Sequence, residues 1–197
     1  VYASSSSVYG LNEKIPFSED DNIEKCNSPY AASKIASEIY AKLYHQLYGI
    51  NLIGLRFFTV YGPRGRPDMA PFKFINSILN DKHIDKYGTG ESQRDYTYIS
   101  DIVDGIIKSI NKCGNEICGN KIYNLGNNKP ITLNKFIQIC EEVCEKKALI
   151  NQKTNQKGDV PITYADITKA QKDLEYNPSY DIKKGLSNLK EWFLLNK

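Results

Sequence analysis

Apolar side chains return every four residues at Ile35, Ile39, Leu43 and Leu47, the spacing of a single stripe along an α-helix. Ser28 and Pro29 stand where an N-cap and a first helical residue belong, and Gly49 where a left-handed residue closes a helix. The pattern therefore predicts a helix over residues 28–48. Residues 51–58 are apolar, β-branched and aromatic, broken only at Arg56, and predict a strand. Val1, Tyr2 and Ala3 run into a block of serines, as the C-terminal end of a buried parallel strand does. Residues 10–28 are polar, carry Pro16 and predict a loop. Strand, loop, helix and strand in that order make a βαβ crossover and a parallel sheet.

Further along, Gly and Pro crowd residues 61–71, a predicted loop that carries Arg64, Arg66 and Asp68. A helix is expected over 72–79 and a strand over 84–87 that ends in Gly88-x-Gly90. Residues 94–99 alternate and predict a half-buried strand. A helix follows over 101–111, then a strand over 121–125 that closes at Gly126. Thr132 reads as the cap of a helix running to about residue 147. Residues 151–159 are polar and predict a loop, and Asp166 and Asp181 read as caps of two last helices. The expected fold class is α/β.

Composition narrows the function classes. The 197 residues are 41% hydrophobic and 25% charged, values of a globular protein with a core of useful size. The net charge of +3 comes from interleaved signs without a basic block, which argues against a nucleic-acid partner. No apolar run approaches membrane-spanning length. Five cysteines (Cys26, Cys113, Cys118, Cys140, Cys144) and two histidines lack metal-ligand spacing, so no metal is expected. Cys140 and Cys144 fall on the apolar side of their helix as buried thiols, and the setting reads as a reducing cytoplasm. The chain starts at Val1, inside a strand, and Gly88-x-Gly90 lies in a polar turn rather than opening an apolar helix. It is not a dinucleotide fingerprint, and the chain reads as the C-terminal part of something longer.

Candidate chemistry sits near the start. Tyr30 and Lys34 are one helical turn apart, a spacing of about 5–6 Å at Cβ, so both heads can reach one substrate oxygen. A tyrosine phenol titrates near 10, and bringing one near neutrality takes about 4 kcal/mol of differential stabilisation. A neighbouring ammonium at Lys34 and a hydroxyl donor such as Ser5 are groups that supply it.

Seven blocks in one order carry a resemblance. They are Ser-Ser-Ser-Ser-Val-Tyr-Gly (4–10), Tyr-Ala-Ala-Ser-Lys (30–34), Leu-Arg-Phe-Phe-Thr-Val-Tyr-Gly-Pro (55–63), Gly-Arg-Pro-Asp-Met-Ala (65–70), Arg-Asp-Tyr-Thr-Tyr-Ile (94–99), Tyr-Asn-Leu-Gly (123–126) and Gly-Asp-Val-Pro (158–161). Together they resemble the nucleotide-sugar epimerases of the extended short-chain dehydrogenase/reductases, most closely those that act on UDP-glucuronate. The resemblance implies the C-terminal part of a Rossmann-type sheet, residues 1–62. It also implies a smaller mixed α/β domain for the nucleotide sugar, residues 63–197, with about 97–126 returning to the NAD-binding domain. It implies NAD as cofactor, a UDP-sugar substrate, and a homodimer formed through the helix at 28–48. The half of such enzymes that holds the glycine-rich NAD loop lies outside this sequence, so the isolated chain is expected to be inactive.

Residue by residue, the resemblance implies that Tyr30 is the base at the sugar 4-hydroxyl and that Lys34 binds the nicotinamide ribose and holds the phenolate. Ser5 hydrogen-bonds the 4-oxygen, and Val60 offers backbone contacts to the nicotinamide amide. Tyr87 packs on uracil, Arg94 pairs with the diphosphate, and Asp159 holds the ribose or diphosphate region. Relatives that eliminate water resemble Thr-Asp-Glu beside the catalytic serine, and decarboxylating relatives keep Glu where Ser7 stands. Ser6 and Ser7 are neutral, which favours epimerisation over a dehydratase or decarboxylase. Thr59 stands where galactose-type enzymes resemble Asn, and an arginine fork at Arg66 suits a C6 carboxylate. A UDP-glucose 4-epimerase and an inactive remnant are the competing expectations.

Overall fold

The structure, a computed structural model, describes residues 1–115, 117–154 and 160–196. β1 (Tyr2–Ser5) leads through a 3₁₀ turn (Ser6–Tyr9) and a long loop to α1 (Pro29–Tyr48), then β2 (Leu52–Phe57). This is the expected crossover, and β1 and β2 pair in parallel. α1 has the expected ends: the Ser28 hydroxyl accepts from the Ala31 amide, Pro29 is the first helical residue, and Gly49 takes a left-handed conformation at φ 65°.

β3 (Thr59–Tyr61) follows at once, and α2 (Ala70–Leu79) and β4 (His83–Tyr87) come next. Then come β5 (Gln93–Tyr98), α3 (Ile99–Asn115), β6 (Asn120–Leu125), β7 (Pro130–Thr132) and α4 (Leu133–Cys144). β8 (Leu149–Lys153), α5 (Thr168–Leu174) and α6 (Ile182–Leu195) complete the order. The class is α/β, as the element rhythm implied. β1, β2 and β6 form one parallel sheet in that order; β3, β5 and β7 form a second, and β4 with β8 a third.

The β2 pleat decides what meets what. Arg56 points to α1, where it bonds Glu38. Ile53 and Leu55 point the other way, into a buried cluster with Ile102 of α3, Tyr123 and Leu125 of β6, and Tyr176. A second buried cluster joins Ile75 and Ile78 of α2, Tyr96 of β5, Phe136 and Cys140 of α4, and Leu186 and Leu189 of α6. Cys140 and Cys144 are buried free thiols, as expected.

Several elements differ from the sequence reading. The strand expected over 51–58 is β2, over 52–57; β3, which the sequence reading did not assign, follows directly and joins the second sheet. β5 does not alternate, because Asp95 through Tyr98 are all buried; the strand has β3 on one side and β7 on the other. Part of the predicted loop at 151–159 is β8, a parallel partner of β4 whose residues are all exposed. α4 ends at Cys144, where Glu145 turns left-handed. Asp181 caps α6 as expected. Asp166 does not cap α5, whose cap position is Ile167; its carboxylate accepts from the Thr168 amide one step away. Asp159 lies outside the described residues.

Candidate active site

Ligands of parallel α/β sheets gather at the carboxyl ends of the strands, and β1 ends there in the serine block. The Ser5 hydroxyl accepts from the Ser7 amide at 3.1 Å and lies 3.1 Å from the Ser7 hydroxyl. That cap turns the chain into the 3₁₀ turn and holds the Ser5 and Ser7 hydroxyls side by side. α1 then brings Tyr30 and Lys34 to the same place. The Lys34 ammonium donates to the Ala3 carbonyl on β1 at 3.0 Å and sits 5.7 Å from the centre of the Tyr30 ring. Helix and strand end are thus joined by the lysine itself.

A cavity of about 530 Å³ opens between them. Ser5, Ser6, Ser7, Tyr30 and Lys34 line it together with Thr59, Val60 and Arg66. These are the predicted reacting and sugar-side residues, brought together by the turn from β2 into β3 and its following loop. Arg66 is bonded to Asp68, with Nε to Oδ1 at 3.1 Å and Nη2 to Oδ2 at 2.5 Å. Asp68 raises the Arg66 guanidinium above its ordinary value by hydrogen bond and charge, and Tyr30 adds a smaller contribution.

Tyr87 and Arg94 line a separate cavity of about 550 Å³. Asp68 lines that second cavity while Arg66 lines the first, so the ion pair stands at the boundary between the two. Arg94 donates from Nη1 to the Gln93 carbonyl at 2.7 Å.

Two buried polar centres beneath the site were not singled out from sequence. Glu38, one turn beyond Lys34, accepts from both nitrogens of one edge of Arg56, Nε at 2.9 Å and Nη2 at 2.8 Å, and from the Ser4 hydroxyl at 2.5 Å. Arg56 also donates to the Tyr9 hydroxyl, which donates to Asn124. Burial works against the Arg56 charge, but the Glu38 hydrogen bonds win and hold it well above its ordinary value. The signal was present as a lone arginine inside an apolar strand. Asp95 is the other centre: fully buried, it accepts from the Asn127, Asn128 and Ala165 amides. Burial pushes its carboxyl up against the pull of those donors.

Among the described residues no cluster of His, Cys, Asp and Glu could hold a metal, and no helix is long and apolar enough to cross a membrane. The donor set around the first cavity (an ammonium at a strand end, a phenol and exposed backbone at the β3 edge) fits the nicotinamide–ribose end of NAD.

Comparison with known proteins gives the arrangement a lineage. The model of the NAD dependent epimerase/dehydratase family matches residues 1–126. An uncharacterized protein of Methanocaldococcus jannaschii is 53% identical over the whole chain, which covers 59% of that protein. UDP-glucuronate 4-epimerase 2 of Arabidopsis thaliana is 44% identical over 98% of the chain, which covers 48% of that enzyme. The crystal structure of the Bacillus cereus UDP-glucuronic acid 4-epimerase, in complex with UDP-glucuronic acid and NAD, superposes with a TM-score of 0.92. It is 32% identical, over 99% of this chain and 61% of that one. The chain spans about half to three fifths of the length of these relatives. With that match across most of its length and the tyrosine, lysine and serines gathered at one strand end, the chain belongs to the NAD dependent epimerase/dehydratase family.

Proposed function

We propose that this chain carries the reacting residues and the sugar-nucleotide site of a 4-epimerase that interconverts UDP-glucuronate and UDP-galacturonate. One observation carries the reading. Tyr30, Lys34 and Ser5 share a cavity with neutral hydroxyls at Ser6, Ser7 and Thr59 and a guanidinium at Arg66. That set offers a base for a sugar hydroxyl and an anion grip, and no acid beside the ring for elimination.

The family's cofactor is NAD, which when bound supplies the hydride acceptor and donor for C4 of the sugar. Lys34 would hold its ribose, and the Val60 backbone its amide. As base, Tyr30 takes the proton of the 4-hydroxyl. The 4-keto sugar then turns about its diphosphate bonds to present its other face, and Tyr30 returns the proton to the 4-oxygen. The Lys34 ammonium lies 5.7 Å from the centre of the Tyr30 ring, and the Ser5 hydroxyl donates to the 4-oxygen. A ketone at C4 turns the C6 carboxylate into a β-keto acid, prone to losing CO₂. Ser6, Ser7, Thr59 and Arg66 hold that carboxylate with its C–C bond out of line with the carbonyl π system. In the second cavity Tyr87 packs on uracil and Arg94 neutralises diphosphate; Asp159 is proposed to hold the ribose or diphosphate region. The exposed face of α1 is proposed to pair with a second copy, and the cytoplasm is the proposed setting.

The experiment is an assay of the full-length, NAD-loaded protein with UDP-glucuronate, UDP-glucose and UDP-galactose. UDP-glucuronate is expected to turn over fastest, and Tyr30→Phe to cut its rate by about 10²–10⁴. Arg66→Ala is expected to raise the share of UDP-pentose. Full turnover by Tyr30→Phe, or a preference for the neutral sugars, refutes the reading.

A further inference from the structure

A guanidinium offers a carboxylate two planar edges, one made of Nε and Nη2, the other of Nη1 and Nη2. Asp68 fills the first edge of Arg66, with one carboxylate oxygen on each nitrogen. The contact is local: only Pro67 separates the two residues, its ring fixes φ between them, and the Met69 amide closes the turn on the Arg66 carbonyl at 3.1 Å. The end edge shares Nη2 with the pair, and its Nη1 and the second N–H of Nη2 point away from Asp68. Arg66 lines the cavity of Tyr30 and the serines, whereas Asp68 lines the neighbouring cavity of Tyr87 and Arg94. The carboxylate therefore grips the arginine from behind.

We propose that Asp68 is a positioning residue for acid recognition: it braces the side edge of Arg66 so that the end edge meets the C6 carboxylate of a UDP-uronate. The proposal rests on the uronate reading above. Both side chains are exposed, at 73% and 59%, so as an ion pair they add little to folding; the use of the contact is in aiming.

Two effects of Asp68 on a bound uronate oppose each other. As a bare charge it repels the substrate carboxylate. Between exposed groups that repulsion is screened over about 8 Å at physiological ionic strength. As a brace it removes the ordering that a free arginine must undergo on binding, and this effect is not screened. Bracing wins, and the sign of one measurement tells the two apart.

The test is titration calorimetry of UDP-glucuronate and UDP-glucose into this chain at physiological ionic strength, with Asp68→Ala, Asp68→Asn and Arg66→Ala. Asp68→Ala is expected to weaken UDP-glucuronate by about two- to twelvefold, the range for one side chain left to be immobilised, and to leave UDP-glucose unchanged. Asp68→Asn keeps one acceptor for the Nε edge and is expected to fall between. Arg66→Ala is expected to erase the preference for UDP-glucuronate. Tighter or unchanged UDP-glucuronate binding by Asp68→Ala, with the preference still lost in Arg66→Ala, overturns the brace and leaves the uronate reading standing. A preference that survives Arg66→Ala, or that the unaltered chain does not show, overturns both.

Discussion

Arg56 is 3% exposed and Glu38 7%, so the pair between them has left water almost entirely. Two charges buried together roughly offset their desolvation, but one alone does not. Glu38→Ala leaves the guanidinium with the Tyr9 hydroxyl and the Glu19 carbonyl as its remaining partners. It is expected to cost about 3–5 kcal/mol, read from urea denaturation. The double replacement Glu38→Met, Arg56→Met is expected to recover most of that loss; a single variant as stable as the parent contradicts the assignment. That Tyr30, Lys34 and the serines meet at one cavity was legible because they lie within thirty residues of one another in a recognisable spacing. The support beneath them was only half legible. Arg56 shows as a charge among apolar neighbours, but its partner is fixed by the β2 pleat and the α1 face, which meet only in three dimensions.

At the scale of elements, α1 was readable to the residue at both ends because its caps are local chemistry, a serine hydroxyl at the start and a left-handed glycine at the finish. Its aliphatic stripe carries a less local message. The helix turns Ala31, Glu38 and Ala41 to the sheet and leaves Ile39, Tyr40, Leu43, Tyr44, Leu47 and Tyr48 exposed. A second copy seated there would cover an apolar face larger than isolated surface residues explain. Leu43→Glu is expected to weaken self-association about tenfold or more, measured by sedimentation equilibrium; an unchanged distribution removes the proposed contact. The elements missed from sequence share one cause. β8 is Leu-Ile-Asn-Gln-Lys, without alternation, and owes its existence to backbone pairing with β4. β3 is only Thr-Val-Tyr, too short to show a period, and owes its place to pairing with β5.

Across the whole molecule, the order of elements made the α/β class legible, while the division of the remaining strands into two further sheets depended on pairings between distant segments. On the proposed function the two cavities carry separable binding tasks. A strand–glycine loop–helix that would seat a pyrophosphate at a helix N-terminus is not in this sequence. The 197-residue chain is therefore expected to bind NAD more weakly than micromolar while retaining affinity for a UDP-sugar. A micromolar dissociation constant for NAD in a fluorescence titration contradicts that partition. The Glu38–Arg56 clamp has one more consequence, for how such a protein drifts over generations. Either partner changed first leaves a stranded charge, so the route to a greasy replacement crosses a valley that selection closes. The positions are expected to be inherited as a unit and lost together.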